Sequence, residues 1–189
     1  MKSNFSYGDC TEEQLWRHVA GHLEASGFPV VLVGGAVVSV YSRGAYRSGD
    51  LDFVQEGLYA EPLDGCLAEL GFARRGRHFV HPDCKHLFVE FVAGPLGIGD
   101  DLDITPTTEV EDGHTLRILS PTDCVRDRLA SYIHFKARDC LDQAALVASA
   151  QPVNWDIIEA WCLHESTNGA AVLRELRKLV RRLDADAGP

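Results

Sequence analysis

The stretch Val30–Phe53, VVLVGGAVVSVYSRGAYRSGDLDF, decides how the rest of the chain is read. Its β-branched run, Val30–Val33, stops at Gly34-Gly35. An apolar helical segment follows, and a polar loop then delivers Asp50-Leu51-Asp52 into a second apolar run. In a strand over Leu51–Val54 successive side chains alternate between faces, so Asp50 and Asp52 share one face with Cα atoms about 6.6 Å apart. Two such carboxylates repel unless a cation lies between them. An all-oxygen donor set suits Mg²⁺ or Mn²⁺ rather than Zn²⁺. Gly34 and Gly35 lack Cβ, so backbone N–H groups can approach a phosphate closely where the next helix begins with its positive dipole end.

Outward from this unit, the chain reads as a compact globular protein. It has 189 residues, 46% hydrophobic and 24% charged, enough for one or two domains with a real core. No run approaches the roughly 20 apolar residues that span a bilayer, and MKSNFSYGDCTEEQ has no apolar signal core, so no membrane partner and a cytoplasmic location are expected. The six cysteines never form C-x-x-C, which argues against a zinc ribbon or a disulfide framework and for small buried apolar residues. A net charge of -10 argues against a broad nucleic-acid surface while leaving room for local ones. Basic residues cluster at Arg74-Arg75-x-Arg77 and at Arg174, Arg177, Lys178, Arg181 and Arg182, the second group reading as the solvated face of a terminal helix.

Before the central stretch, Thr11-Glu12-Glu13-Gln14 is a capping box that opens a helix to about Glu24, with Leu15, Val19 and Leu23 on its buried side. A two-turn helix is expected over Ala36–Tyr41. After the carboxylate strand, Pro62–Leu70 reads as a short helix, and His78–His81 and His86–Val92 as strands joined by the turn Pro82-Asp83-Cys84-Lys85. Glu90 interrupts the apolar run Leu87–Val92, and burying its charge needs a cation or hydrogen bonds, unless it faces water from an edge strand. Asp100-Asp101-x-Asp103 lacks EF-hand spacing and reads as a solvated acidic turn. Thr107–Val110 and His114–Leu119 form a hairpin around Asp112-Gly113. From Ser120 the texture is helical: Pro121–Phe135, a second helix through Ala150, Trp155–His164, and Asn168 to about Leu183, with fraying from Asp184.

An apolar strand, Gly-Gly, a short helix and then Ser48-x-Asp50-x-Asp52, with fourteen residues between Gly35 and Asp50, resembles the signature of the polymerase-beta-like nucleotidyltransferase superfamily. The run SPTDCVRDRLASYIHFKARDCLDQAAL is similar to the helical motif of AbiEii-like toxins and related small bacterial nucleotidyltransferases. The resemblance implies an α+β (α/β) fold: a mixed-sheet core over residues 1–119 with its N-terminal helix, and a C-terminal helical region, 120–189, packed on it. It implies Asp50, Asp52 and Glu90 as catalytic carboxylates holding Mg²⁺ or Mn²⁺. Gly34, Gly35, Arg47, Ser48, Arg128, Arg138, Asp139 and Asp142 would be the nucleotide-binding residues. The implied activity is transfer of a nucleoside monophosphate from an NTP to an acceptor hydroxyl. An RNA acceptor such as a tRNA end, and an antitoxin partner, follow from the toxin-type likeness. Arg128 stands where the family commonly has lysine; arginine keeps the charge and the phosphate fork but is a poor proton donor or base. A catalytically inactive nucleotide- or RNA-binding member and a protein-interaction module are the alternatives. For Asp139, simple helix capping needs no substrate at all.

Other groupings are weaker. His78, His81, Cys84 and His86 gather in one hairpin, but irregular geometry favours surface histidines over a zinc site. Ser39 sits in no G-x-S-x-G elbow, and Gly94–Gly99 lacks the Lys-Ser/Thr of a P-loop. Trp155 and Trp161 read as helix-packing residues.

Overall fold

A computed structural model describes residues 5–55, 63–92 and 94–187 of the chain. Its elements follow in the order α1 (Glu12–Ala25), β1 (Val30–Val33), α2 (Gly34–Tyr41), β2 (Asp50–Gln55), α3 (Leu63–Glu69), β3 (Ala73–Arg75), β4 (His78–His81), β5 (Cys84–Val92), β6 (Thr107–Glu111), β7 (His114–Ile118), α4 (Pro121–Phe135), α5 (Asp139–Ala150), α6 (Trp155–Glu165) and α7 (Gly169–Ala187). Two compact units emerge. The first is built from the described residues of 1–36, 47–96 and 106–118, and the second from those of 37–46, 97–105 and 119–189. Each unit thus draws on three separate stretches, and the loop 97–105 and most of α2 group with the helices. No described helix is long and apolar enough to cross a membrane.

The first unit holds a seven-stranded mixed sheet in the order β3-β4-β5-β2-β1-β7-β6. β1, buried along its whole length, pairs antiparallel with β2 and parallel with β7; β2 pairs parallel with β5. Helix α1 starts at the expected capping box: Thr11 Oγ1 accepts from the Gln14 N–H, and Gln14 Oε1 accepts from the Thr11 N–H. Leu15, Val19 and Leu23 are fully buried, each contributing roughly 1.5–3 kcal/mol of transfer free energy. On β2 and β5, Leu51, Phe53 and Val89 form the interior, and Phe91 meets both Phe53 and Phe79 at ring-centroid distances of 5.8 and 5.7 Å. The β6–β7 turn has Asp112 and Gly113 both at positive φ, 49° and 81°, the combination that a two-residue hairpin requires.

Several boundaries move. Helix α2 begins at Gly34 itself, two residues before the expected start at Ala36. β5 begins at Cys84, so the turn tightens to Pro82-Asp83. β3 was not expected: its three residues are all exposed and carry no apolar alternation to reveal it. Of the helix expected from Pro62, that residue lies outside the described residues, and the described part is α3.

In the second unit, Ser120 caps α4 by accepting from the Asp123 N–H, with Pro121 in the first turn. Asn154 caps α6, accepting from the N–H groups of Asp156 and Ile157. Helix α7 buries Val172, Leu173, Leu176 and Val180 along one stripe and exposes Arg174, Lys178, Arg181 and Arg182. It runs on to Ala187 rather than fraying at Asp184, whose carboxylate accepts a 2.6 Å hydrogen bond from Ser149. The acidic turn is only partly solvated: Asp101 pairs with Arg126, a buried guanidinium that also bonds Asp123 at 2.8 Å.

Candidate active site

The carboxylates meet through strand pairing. Along β2, Asp50 and Asp52 project from one face while Leu51 and Phe53 project from the other. In the parallel β2–β5 ladder Asp52 is the register partner of Glu90, and Asp50 of Phe88. Register partners on neighbouring strands present their side chains to the same face, so Asp50, Asp52 and Glu90 lie on one face of the sheet. β5 is an interior strand, flanked by β4 and β2, so Glu90 is not an edge residue facing water. Its side chain is 13% exposed.

The start of α2 closes on this face. Val33, the last residue of β1, is the register partner of Asp52, which brings Gly34 against the aspartate. Gly34 has φ +73°, and a Cβ added there would stand 2.5 Å from Asp52 Oδ2. Only glycine meets both conditions, the left-handed backbone and the missing side chain. A carboxylate thus sits beside the N-terminal turn of a helix, where backbone N–H groups lack intrahelical partners.

The loop before β2 is tied down by a residue that the sequence motifs did not single out. Glu12, in the first turn of α1, is 1% exposed; its Oε1 accepts a 2.9 Å hydrogen bond from the Ser48 N–H and lies 3.1 Å from Arg47 Nε. Ser48 in turn donates its hydroxyl to Asp50 Oδ1 at 2.8 Å. A chain of contacts therefore runs from α1 through Ser48 to the first carboxylate, leaving about half of the Arg47 side chain exposed. No sequence motif marks this role, since the capping box is completed by Thr11 and Gln14 without Glu12.

Glu90 is engaged from β4. Its Oε1 lies 3.2 Å from Arg77 Nε and its Oε2 3.1 Å from His78 Nε2, and His78 is also its register partner. The three carboxylates are not drawn together as a closed cage: among the described residues, the only acidic, histidine or cysteine trio with ligand atoms all within 4.8 Å is Cys10, Cys84 and His86. The donor chemistry of Asp50, Asp52 and Glu90 fits a hard divalent cation; Glu90 is held by Arg77 and His78, and the room left by the missing Gly34 Cβ is taken by Asp52.

The remaining expected site residues belong to the second unit. Arg128 bonds Asp127 through Nε and Nη2 at 3.0 and 2.6 Å, and reaches Gln143 Oε1 at 3.4 Å. Burial works against its charge, but the adjacent Asp127 outweighs it and holds the guanidinium more firmly protonated than usual. Asp139 does not act as a side-chain cap; Arg138 occupies that position, and Asp139 Oδ2 accepts from Gln143 Nε2 at 3.0 Å. Arg138, Asp139 and Asp142 are exposed.

Of the hairpin histidines, His78 faces Glu90. His81 is buried, stacked on Tyr7 at 3.7 Å, and accepts from the Asp83 N–H. His81 is therefore not a surface histidine of the expected kind, whereas His86 is exposed. A separate cleft of about 760 Å³ in the first unit, lined in part by Arg17, His18, His22 and His114, contains none of the three carboxylates.

No family model and no curated protein matches the chain. Among solved structures, an antigenic nucleotidyltransferase-like protein from Paracoccidioides brasiliensis is similar at a TM-score of 0.59 and 18% identity, covering 92% of this chain and 90% of that one. The antibiotic-resistance factor ANT(2'')-Ia aligns at a TM-score of 0.47 and 14% identity, over 92% of this chain and 93% of that one. A nucleotidyltransferase from H. pylori, named as putative, aligns at 0.35 and 13%, over 93% and 94%. The first likeness gives the fold: a mixed α/β architecture of the nucleotidyltransferase-like kind.

Proposed function

We propose that the chain is a metal-dependent nucleotidyltransferase, moving a nucleoside monophosphate from an NTP to an acceptor hydroxyl. The observation that carries this reading is the convergence of Asp50, Asp52 and Glu90 on one sheet face beside Gly34, whose missing Cβ leaves room for Asp52 at the start of α2. Asp50, Asp52 and Glu90 would hold Mg²⁺ or Mn²⁺, which when bound neutralises charge on the triphosphate and the leaving pyrophosphate and makes the acceptor hydroxyl easier to ionise. The N–H groups at Gly34 and Gly35 receive phosphate oxygens. Ser48 fixes the rotamer of Asp50, and Glu12 fixes Ser48. Arg47, paired through Nε with Glu12 and with about half of its side chain exposed, supplies a clamp on the outer phosphates. The part of Arg128, Arg138, Asp139 and Asp142 in nucleotide binding rests on the sequence resemblance alone, as do RNA as the acceptor and an antitoxin as the partner.

The test is incubation of the chain with each labelled NTP, Mg²⁺ or Mn²⁺, and in separate reactions total RNA, hydroxylated small molecules and protein. Label should enter one acceptor class, with release of pyrophosphate, and Asp50→Asn should abolish it. Incorporation undiminished in Asp50→Asn removes the mechanism. The pairing of Glu90 with Arg77 and His78 favours a second reading, a fold that binds nucleotide without turning it over. Nucleotide binding with no pyrophosphate released under any acceptor identifies that case.

A further inference from the structure

We propose that Cys10, Cys84 and His86 bind one soft divalent cation, Zn²⁺ by preference, at a site separate from the carboxylate face. Cys10 immediately precedes the N-cap of α1. Cys84 opens β5, and His86 follows it two residues later, so both project from the same face of the strand. Their ligand atoms, with Cys10 Sγ, all lie within 4.8 Å of one another. Tetrahedral zinc ligands at about 2.3 Å for sulfur and 2.0–2.1 Å for nitrogen stand about 3.5–3.8 Å apart, so a small closure completes the set.

The histidine is already turned for ligation. Its Nε2 lies 2.8 Å from the Cys10 carbonyl oxygen, and a carbonyl only accepts, so Nε2 carries the proton. Nδ1 is then the bare nitrogen, and it is this atom that stands 4.0 Å from Cys84 Sγ. A ring nitrogen held by a backbone carbonyl while its partner faces a cysteine sulfur is the support that metal-bound histidines use. Cys10 and Cys84 are each 3% exposed, whereas His86 is exposed, so the fourth position opens toward solvent and takes a water. Thiolates and imidazole select Zn²⁺ over Mg²⁺, which keeps this site distinct from an all-oxygen one.

Binding replaces two S–H protons with one dication, releasing two protons to solvent and leaving two thiolates neutralised by the ion. The result is a staple between the segment before α1 and the β4–β5 hairpin.

The experiment uses the full chain, kept reduced with a phosphine, stripped with chelator and titrated with Co²⁺ alone, then Zn²⁺ alone. One Co²⁺ per chain should give thiolate-to-cobalt charge-transfer absorption and the visible bands of a tetrahedral centre, apart from any Co²⁺ taken up by the carboxylate face. One equivalent of Zn²⁺ should displace it, two protons should be released per ion, and the unfolding temperature should rise. His86→Gln, at an exposed position, should weaken binding by about 10- to 100-fold, and Cys10→Ser should remove much of the charge-transfer band. Asp50→Asn with Asp52→Asn should leave the cobalt spectrum unchanged. Absence of the band in the folded, reduced wild-type chain overturns the site, including the case in which Cys10 and Cys84 form only a disulfide on oxidation. A band that survives undiminished in both His86→Gln and Cys10→Ser overturns it equally, by assigning the ion to other thiols.

Discussion

Glu12 and Ser48 are joined by a 2.9 Å hydrogen bond from the Ser48 N–H to a carboxylate that is 1% exposed, 36 residues away in the chain. Removing that acceptor leaves a buried N–H without its partner and frees the rotamer of Ser48, and through it Asp50. Glu12→Ala should therefore cost roughly 1–3 kcal/mol in urea unfolding, with Glu12→Gln losing less because the amide oxygen still accepts. Both should weaken metal-dependent thermal stabilisation, which Asp9→Ala should not.

Gly34 separates two effects that substitution usually mixes. Gly34→Ala meets backbone strain of about 1–2 kcal/mol at φ +73° and, in addition, drives a methyl into the Asp52 carboxylate. Gly27 has φ +81° with nothing within 4 Å, so Gly27→Ala carries the strain alone. Chemical denaturation should find Gly34→Ala the less stable of the two, and only Gly34→Ala should abolish nucleotide transfer.

Arg77 and His78 hold Glu90 in the structure, so under the proposed function they would compete with the metal for it. Arg77→Ala combined with His78→Ala should tighten Mn²⁺ binding, read by paramagnetic resonance titration, while Glu90→Gln should weaken it. Unchanged Mn²⁺ affinity in the first variant would mean that Glu90 takes no part in holding the ion.

Acid should loosen the first unit before it touches the carboxylates. His18 and His81 both titrate below their ordinary value of 6.5, chiefly because burial disfavours the charged ring. His18 Nε2 hydrogen-bonds the Tyr7 hydroxyl, which itself donates to the Leu70 carbonyl, and His81 stacks on the Tyr7 ring. A folded pKa below the unfolded one means that the unfolded chain binds more protons in that window. Stability is therefore full above about pH 6.5 and falls as pH drops toward the folded values. Unfolding midpoints between pH 7.5 and 5.5 should show this slope, and His18→Gln with His81→Gln should flatten it.

In the second unit, Arg126 is 6% exposed on its side chain and bonds Asp101 and Asp123. Arg126→Met should cost about 1–3 kcal/mol, since Asp101 and Asp123 lose their counter-charge while keeping the Asp103 N–H and the Ser120 hydroxyl, and the Trp161 ring loses the guanidinium that now lies over it at 5.8 Å. Equilibrium unfolding of the variant, with Asp101→Asn as the milder partner, measures it.

What could be read directly from the chain was local. Thr11 with Gln14, Ser120 with Asp123, and Asp112-Gly113 each state their structure within four residues, and all three motifs are realised. The alternation of Asp50 and Asp52 with Leu51 and Phe53 likewise needs no distant partner. Glu90 was marked by its apolar surroundings, but its register with Asp52 is a pairing across 38 positions that no local pattern encodes. Glu12 was hidden for the same reason, its role being set by Ser48. The histidine hairpin shows the limit most clearly. His81 turned inward to Tyr7, His78 turned to Glu90, and the third ligand beside Cys84 and His86 came from Cys10, far outside the hairpin.

The outermost strands of the sheet carry opposite charge: Arg74 and Arg75 on β3, Glu109 and Glu111 on β6. A terminal strand offers unpaired amides and carbonyls to any passing chain. Two acidic rims repel, two basic rims repel, and a mismatched encounter meets Arg74 already taken by Asp64 and both glutamates already taken by Arg17. The consequence is colloidal: like rims of two copies repel, and in an unlike encounter Arg74, Glu109 and Glu111 are already paired within their own copy, leaving Arg75 as the rim charge without such a partner among the described residues. Removal of Arg17, a residue remote from the carboxylate face, would unlock one of those rims.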